Sequence, residues 1–406
     1  MNFELSDEQV QVREMVREFV QRDIAPHIQE WDAKGEFHRE VLDKMGELGL
    51  LGLPIPEEYG GAGFDYVSLA LACDELEYGD TFLRVIMSVH VGLNSLALLQ
   101  WATEEQKQRF LVPQATGEKI ATFGLTEPNA GSDAGSIETT ATRDGDDYVL
   151  NGSKMWISLA DVADHFLVFA SLDRSQKHKA LTAFVVERGM EGFTTGSIKG
   201  KLGVRAGNTG ELAFNNVRVP GSHRIGEEGE GFKIAMSCID QGRFTVAAGA
   251  VGLTRACLDA SVRYANQRET FGVPIGKHQL VQQMIAKMVA GYETSRLLTM
   301  QAAELKNRGI RNTRETSLAK WYACDVALKS ADDAIQVHGS YGFSNEYPVE
   351  RFWRNARGAV IYEGTREIHT LLQAEYALGY RDDRPLRCPQ PPAPGYGVED
   401  RELVHA

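Results

Sequence analysis

The apolar periodicity of this chain switches twice, from a helical repeat to short β-type runs and back to a helical repeat. That order excludes most layered folds. Ser6 and Gln9 form a capping-box pattern, and Val12, Met15, Val16, Phe19 and Val20 follow at helical spacing. Helical pattern continues to about residue 117, broken at Pro26, at Gly52-Leu53-Pro54 and at Gly60-Gly61, where backbone breakers mark turns. From about Ile120 the runs are short and β-branched or aromatic: Tyr148-Val149-Leu150, Phe166 to Phe169, Ala183 to Val186 and Leu212 to Val219. Asn151-Gly152 lies between two such runs and suits a tight hairpin. Beyond Gly231 long helical segments return near 232–268, 278–308, 313–338 and 365–377, the pattern of an antiparallel bundle. The proline-rich stretch Cys388 to Gly395 predicts an extended arm. The expected class is α+β, with a helical domain over 1–119, a β-barrel or sandwich over 120–230, a four-helix bundle over 231–385 and a tail over 386–406.

Composition narrows the function. Asp and Glu number 56 against 43 Lys and Arg, a formal charge of -13, so the surface repels nucleic acid and anionic lipid. The five cysteines include no Cys-x-x-Cys pair, which predicts free thiols, a reducing compartment and no thiolate metal site. Met1 to Val20 carries five acidic residues, two arginines and no long apolar run, unlike a signal peptide or membrane span, so a cytoplasmic location is expected. No Gly-x-Gly-x-x-Gly follows a strand, so a dinucleotide would have to be held outside a βαβ unit.

Two segments offer a ligand-binding surface. Phe123-Gly124-Leu125-Thr126-Glu127-Pro128-Asn129-Ala130-Gly131-Ser132-Asp133 joins a strand end, a proline turn and a small-residue loop that exposes backbone N–H groups and hydroxyls. Trp156-Ile157-Ser158 follows and can bring a flat ring and a hydroxyl to the same place. Taken alone, the loop is equally a plain connection and the tryptophan a core filler. Together the two segments resemble the acyl-CoA dehydrogenase family, whose flavin loop reads Thr-Glu-Pro-x-x-Gly-Ser-Asp and is followed by Met-Trp-Ile-Thr or a variant. The resemblance extends from about residue 3 to 380.

That resemblance implies an FAD-dependent enzyme that converts an acyl-CoA to the 2-enoyl-CoA. Phe123, Leu125, Thr126, Trp156 and Ser158 would surround the flavin ring, and Ser132 would touch the flavin or the pantetheine arm. Arg268-Glu269-Thr270-Phe271-Gly272 is similar to the family's Arg-x-Thr-Phe-Gly, which reaches a neighbouring subunit's flavin; the planar fork of an arginine suits a diphosphate. Gln336 and Gly339 match a second such contact, although Gly339-Ser340-Tyr341-Gly342 departs from the usual Gly-Gly-x-Gly. Thr365 and Glu367 would also contact the flavin. A homotetramer, and an electron-transferring flavoprotein as electron acceptor, are further implications.

Glu363, in Tyr362-Glu363-Gly364-Thr365, stands where most branches of the family carry the base that removes the substrate's α-proton. Its apolar flank Ala359-Val360-Ile361 favours a raised carboxyl pKa, as a general base near neutrality requires. One branch places its base just before the arginine of the first bundle helix, but Gly242 precedes Arg243 here. The family stabilises the enolate-like charge through the backbone N–H of the base and a flavin hydroxyl. Asp240 and Arg243 would meet the coenzyme A arm or shape the pocket, or form a surface ion pair; Tyr362 and Gly364 flank the base.

Arg84 stands one turn before Ser88 in an otherwise apolar stretch, and a buried arginine is costly unless an anion meets it. Glutaryl-CoA dehydrogenases carry an arginine there and use it with the serine to hold a distal carboxylate. A dicarboxylic acyl-CoA, glutaryl-CoA or a substituted succinyl-CoA, is therefore expected. The alternatives are a short-, medium- or branched-chain monocarboxylic substrate with Arg84 paired internally to a carboxylate, and an oxygen-using oxidase or non-catalytic scaffold of the same fold.

Overall fold

The computed structural model describes residues 4–397, with helices at both ends of the chain and one mixed sheet between them. Helix α1 (Asp7–Phe19) begins with the expected capping box, in which Ser6 accepts from the Gln9 N–H and the Gln9 side chain accepts from Ser6 N–H. Its apolar stripe packs on α2 (Tyr66–Gly79). Helix α3 (Thr81–Trp101) is long and apolar enough to cross a membrane, yet 89% of its most apolar 18-residue window is buried inside the protein, as in a core helix. Its middle, Met87–Ser95, widens into π-helical turns. There His90 Nδ1 accepts from Ala121 N–H at 3.0 Å and Asn94 donates to Thr122 O at 2.8 Å, so the irregular helix grips the first strand.

The sheet contains β1 (Ala121–Gly124), β2 (Thr140–Asp144), β3 (Asp147–Ser158), β4 (His165–Ser171), β5 (Leu181–Glu187), β6 (Phe193–Ser197), β7 (Thr209–Val219) and β8 (Arg224–Ile225). Spatial order is β6-β7-β3-β2-β4-β5-β8, with β1 parallel to β4 off that path. The hairpin expected at Asn151-Gly152 is not there, because both residues lie within β3. The turn falls instead at Gly145, whose φ of +65° only glycine adopts freely, and Gly152 marks a register shift opposite β7. A Cβ at Gly152 would stand 2.7 Å from Thr139, so close approach of backbone, not a turn, requires that glycine.

The bundle comprises α4 (Gly231–Gln267), α5 (Gln279–Asn307), α6 (Thr313–His338), α7 (Val349–Ala359) and α8 (Arg366–Ala377). Helix α7, rich in charge and missed in the sequence, carries the chain back toward the site. Helix α4 runs through the centre, packed on α2, α5 and α6. Of the expected tail, residues 386–397 are non-helical but laid on the body rather than projecting as an arm, and residues 398–406 lie outside the described residues. Arg387 pairs with Glu230 at 2.6 Å, Gln100 donates to Cys388 O at 2.8 Å, and Ala393 is buried with its N–H bonded to Asn307 O at 2.9 Å. The five cysteines are free, as expected.

Candidate active site

Glu363 lies in the turn between α7 and α8, two residues before Thr365, whose hydroxyl caps α8 by accepting from Ile368 N–H at 3.3 Å. Its φ of +53° is left-handed, a conformation that costs a non-glycine residue about 1–2 kcal/mol and persists only where surroundings impose it. Although the residue as a whole is half-buried, its Oε2 is shut away from solvent and has no hydrogen-bond partner. Burial raises the carboxyl to about 7, against the opposing pull of Arg84, Lys320 and Arg243.

Gly242 on α4 makes room for this carboxylate. A Cβ there would lie 2.0 Å from Glu363 Oε2 and 2.7 Å from Leu93. One heptad further, a Cβ at Gly249 would lie 2.0 Å from Glu77 Oε2 and 2.7 Å from Arg84 Cγ. The two glycines therefore mark one face of α4, about 10 Å apart along its axis, with the carboxylate at one point and an ion pair at the other.

Arg84 is fully buried, as is Glu77. Its Nε donates to Glu77 Oε2 at 2.6 Å, one terminal nitrogen to Ser88 Oγ at 3.2 Å and the other to the Tyr362 hydroxyl at 2.5 Å. Ser88 in turn meets Thr245 Oγ1 at 2.6 Å. Arg84 and Ser88 thus meet as the resemblance implied, and Tyr362, expected only to flank Glu363, joins them. Glu77 supplies the buried countercharge.

Asp240 and Arg243 are not a surface pair. Arg243 is 7% exposed, bonds Asp240 at 3.0 Å and points its Nε at Glu363 O, 3.4 Å away. Asp240 also accepts from Thr313 at 2.6 Å, tying α4 to the start of α6 beneath the Glu363 turn.

The Phe123–Asp133 loop is clamped from behind. Glu127 accepts from Thr139 N–H at 3.0 Å and Glu138 N–H at 2.5 Å, and it pairs with buried Lys154 at 2.7 Å; Lys154 also donates to Leu125 O at 3.2 Å. Sequence alone marks neither residue as a clamp, although Glu127 stands in the loop motif itself. Trp156 is the extra residue of a bulge between β3 and β7; its φ is +64° and the residue is 57% exposed. A large exposed aromatic in a strained conformation has no packing justification of its own. With half-buried Phe123, Thr126 and Ser158, buried Leu125 and exposed Ser132, it forms a surface whose flat ring, hydroxyls and loop backbone fit a heteroaromatic cofactor such as flavin.

Arg268, Thr270 and Phe271 do not join this group. They follow the far end of α4, and Arg268 is roughly 40 Å along the helix from Gly242. Phe271 is 97% exposed with φ of +52°, in a two-stranded turn of Glu269–Thr270 and Val273–Pro274. Gln336 and Gly339, both exposed, belong to the same end of the molecule, where Tyr264 stacks on His338 at 4.3 Å. Gly339 has open space around it. Glu367 is exposed in the first turn of α8.

Known proteins share this fold. The acyl-CoA dehydrogenase N-terminal domain matches residues 6–118, the middle domain 122–217 and the C-terminal domain 229–378. A short-chain specific acyl-CoA dehydrogenase of Clostridium acetobutylicum is 43% identical over 92% of this chain and 98% of its own length. Butyryl-CoA dehydrogenase from Megasphaera elsdenii superposes with a TM-score of 0.91 at 40% identity, covering 93% of this chain and all of that one. A glutaryl-coenzyme A dehydrogenase solved with glutaryl-CoA gives 0.91 at 39%, covering 94% and 98%.

Proposed function

The chain belongs to the acyl-CoA dehydrogenase family of FAD-dependent oxidoreductases, and from that premise we propose that Glu363 is its catalytic base and that its substrate is a short acyl-CoA carrying a second carboxylate. The observation that supports the base is the enclosed, unpartnered Oε2, whose carboxyl titrates near the working range of a general base. Phe123, Leu125, Thr126, Trp156 and Ser158 would hold the flavin ring, which when bound supplies the acceptor for the β-hydride.

The protein's own residues perform the rest. Glu363 takes the α-proton onto its buried carboxylate, which lies against Gly242 beside Leu93. The α-proton of a thioester is too weak an acid for a carboxylate in water, so the charge that develops must be met by fixed partners in an enclosed site. Arg84, Arg243 and Lys320 provide the surrounding positive charge.

The buried Arg84–Ser88–Tyr362 cluster supports the dicarboxylic reading. Along α4 it reaches from Thr245, which meets Ser88, to Gly249, which abuts the Arg84 side chain, one to two turns beyond the Gly242 that makes room for Glu363, a placement that suits a short acyl chain with an anion at its end. A monocarboxylic short-chain substrate is the second reading, favoured by the 2.6 Å Glu77 bond that already balances Arg84 and by the short-chain relatives. Arg84→Ala separates them. With glutaryl-CoA, loss of a charged hydrogen bond should cost about 2–3 kcal/mol, roughly 30- to 150-fold in kcat/KM, beyond any loss with butyryl-CoA. Equal losses with both thioesters would remove the second carboxylate.

Arg268, Thr270, Phe271, Gln336 and Gly339 would complete the flavin site of a neighbouring copy, which makes the working form a homo-oligomer, a tetramer on the family pattern. An electron-transferring flavoprotein would accept the electrons.

A further inference from the structure

We propose that Lys320 is a positioning residue for the reaction, holding the turn that presents Glu363 by binding the carbonyl oxygens on both sides of it. Its Nζ donates to Tyr362 O at 2.9 Å and to Gly364 O at 2.8 Å, and the side chain is buried at 1% exposure. The carbonyl between them, Glu363 O, faces Arg243 Nε at 3.4 Å. Three successive carbonyls are therefore drawn onto cations from α6 and α4. A left-handed glutamate needs its turn imposed from outside, and this is the contact that imposes it.

The choice of partners separates Lys320 from an ordinary buried ion pair. A lysine is buried at high cost unless its donors are met, and here backbone oxygens of the catalytic turn meet them. Burial pushes its own pKa down, while the Glu363 carboxylate favours its charged form. It therefore acts on Glu363 in two ways, by geometry through the flanking carbonyls and by charge. The other groups facing the carboxylate are Glu77 and the Cys73 thiol from α2, Arg84 from α3, Arg243 from α4 and, under Gly364, His369 from α8. His369 bonds Ser317 at 2.8 Å, and burial together with Lys320 and Arg243 keeps it neutral. Lys320 is the member of this set that touches the turn on both sides of the base.

This inference rests on Glu363 being the base. Glu363→Gln tests that separately: a variant that keeps its flavin and still abstracts the proton removes the base assignment, whatever Lys320 does. For Lys320 itself, flavin reduction would be followed in a single turnover against pH. The holoenzyme, Lys320→Gln and Lys320→Arg would each be mixed with whichever of glutaryl-CoA or butyryl-CoA reduces the wild-type flavin. Lys320→Gln should lower the limiting rate roughly 10- to 100-fold with little change in the half-saturating thioester concentration. It should also move the acid limb of the profile upward by on the order of one pH unit, because a cation that favours the carboxylate has gone. Lys320→Arg, which keeps the charge on a larger head group, should lose rate while its limb stays at the wild-type pH. A wild-type limb in Lys320→Gln, a displaced limb in Lys320→Arg, or a loss confined to half-saturation would overturn the proposal. Either variant alone suffices if the other fails to retain flavin.

Discussion

The left-handed φ of Glu363 and its raised carboxyl belong to one design, since the turn that strains the backbone also buries the side chain. Activity should rise with pH through about 7 as Glu363 loses its proton, and Glu363→Gln should lower kcat by about 10²- to 10⁴-fold, measured by flavin reduction with the flavin still bound. Stability provides a second check of opposite sign. Below about pH 4.5 the carboxyl is protonated in both folded and unfolded chains, whereas between there and about 7 only the unfolded chain ionises. Glu363 thus costs the fold up to about 3 kcal/mol above neutrality, and Glu363→Gln should gain stability over the parent at pH 8 but not at pH 4.5. Denaturant titrations showing the same difference at both pH values would contradict a raised pKa. Glu363 was legible in the sequence because its neighbours form a motif. Lys320 was not, because a lysine in a helical pattern resembles a solvent-facing position, and its partners are backbone oxygens more than forty residues away.

At the scale of elements, α4 and β3 do the positioning, and each does so through a local irregularity. In α4 two helix-interior glycines, each normally disfavoured by about 1 kcal/mol relative to alanine, leave space for Glu363 and for the Glu77–Arg84 pair. Gly249→Ala should displace that pair and lower the glutaryl-CoA to butyryl-CoA kcat/KM ratio at least tenfold, with flavin content unchanged. An unaltered ratio would separate the pair from substrate choice. In β3 the bulge turns Trp156 outward while Lys154, one pleat earlier, points in to Glu127. Lys154→Met would leave a buried carboxylate without its partner, so unfolding free energy should fall by about 3–5 kcal/mol and flavin should be lost more readily on gel filtration. The helix–sheet–helix order followed from periodicity alone, because it depends on runs of many residues. The misplaced hairpin at Asn151-Gly152 shows the limit: a glycine needed for close approach to Thr139 carries the same local signal as one needed for a turn.

The whole molecule places the Arg268–Phe271 turn at the far end of α4 from Gly242 and Glu363, so the flavin contacts expected from Arg268, Thr270 and Phe271 lie apart from Glu363 within one chain. On the proposed assembly, dilution to monomer should release flavin, and Phe271→Ala should weaken both association and flavin retention; a monomer that keeps its flavin would argue against it. The most direct test of the account as a whole is an anaerobic titration of the flavin-loaded protein and of Glu363→Gln with glutaryl-CoA and butyryl-CoA. The account predicts that the visible flavin absorbance of the parent protein is bleached, more efficiently by glutaryl-CoA, and that Glu363→Gln binds the same thioesters without bleaching. Bleaching of the variant at the parent's rate, or no bleaching of the parent by any thioester, would contradict it.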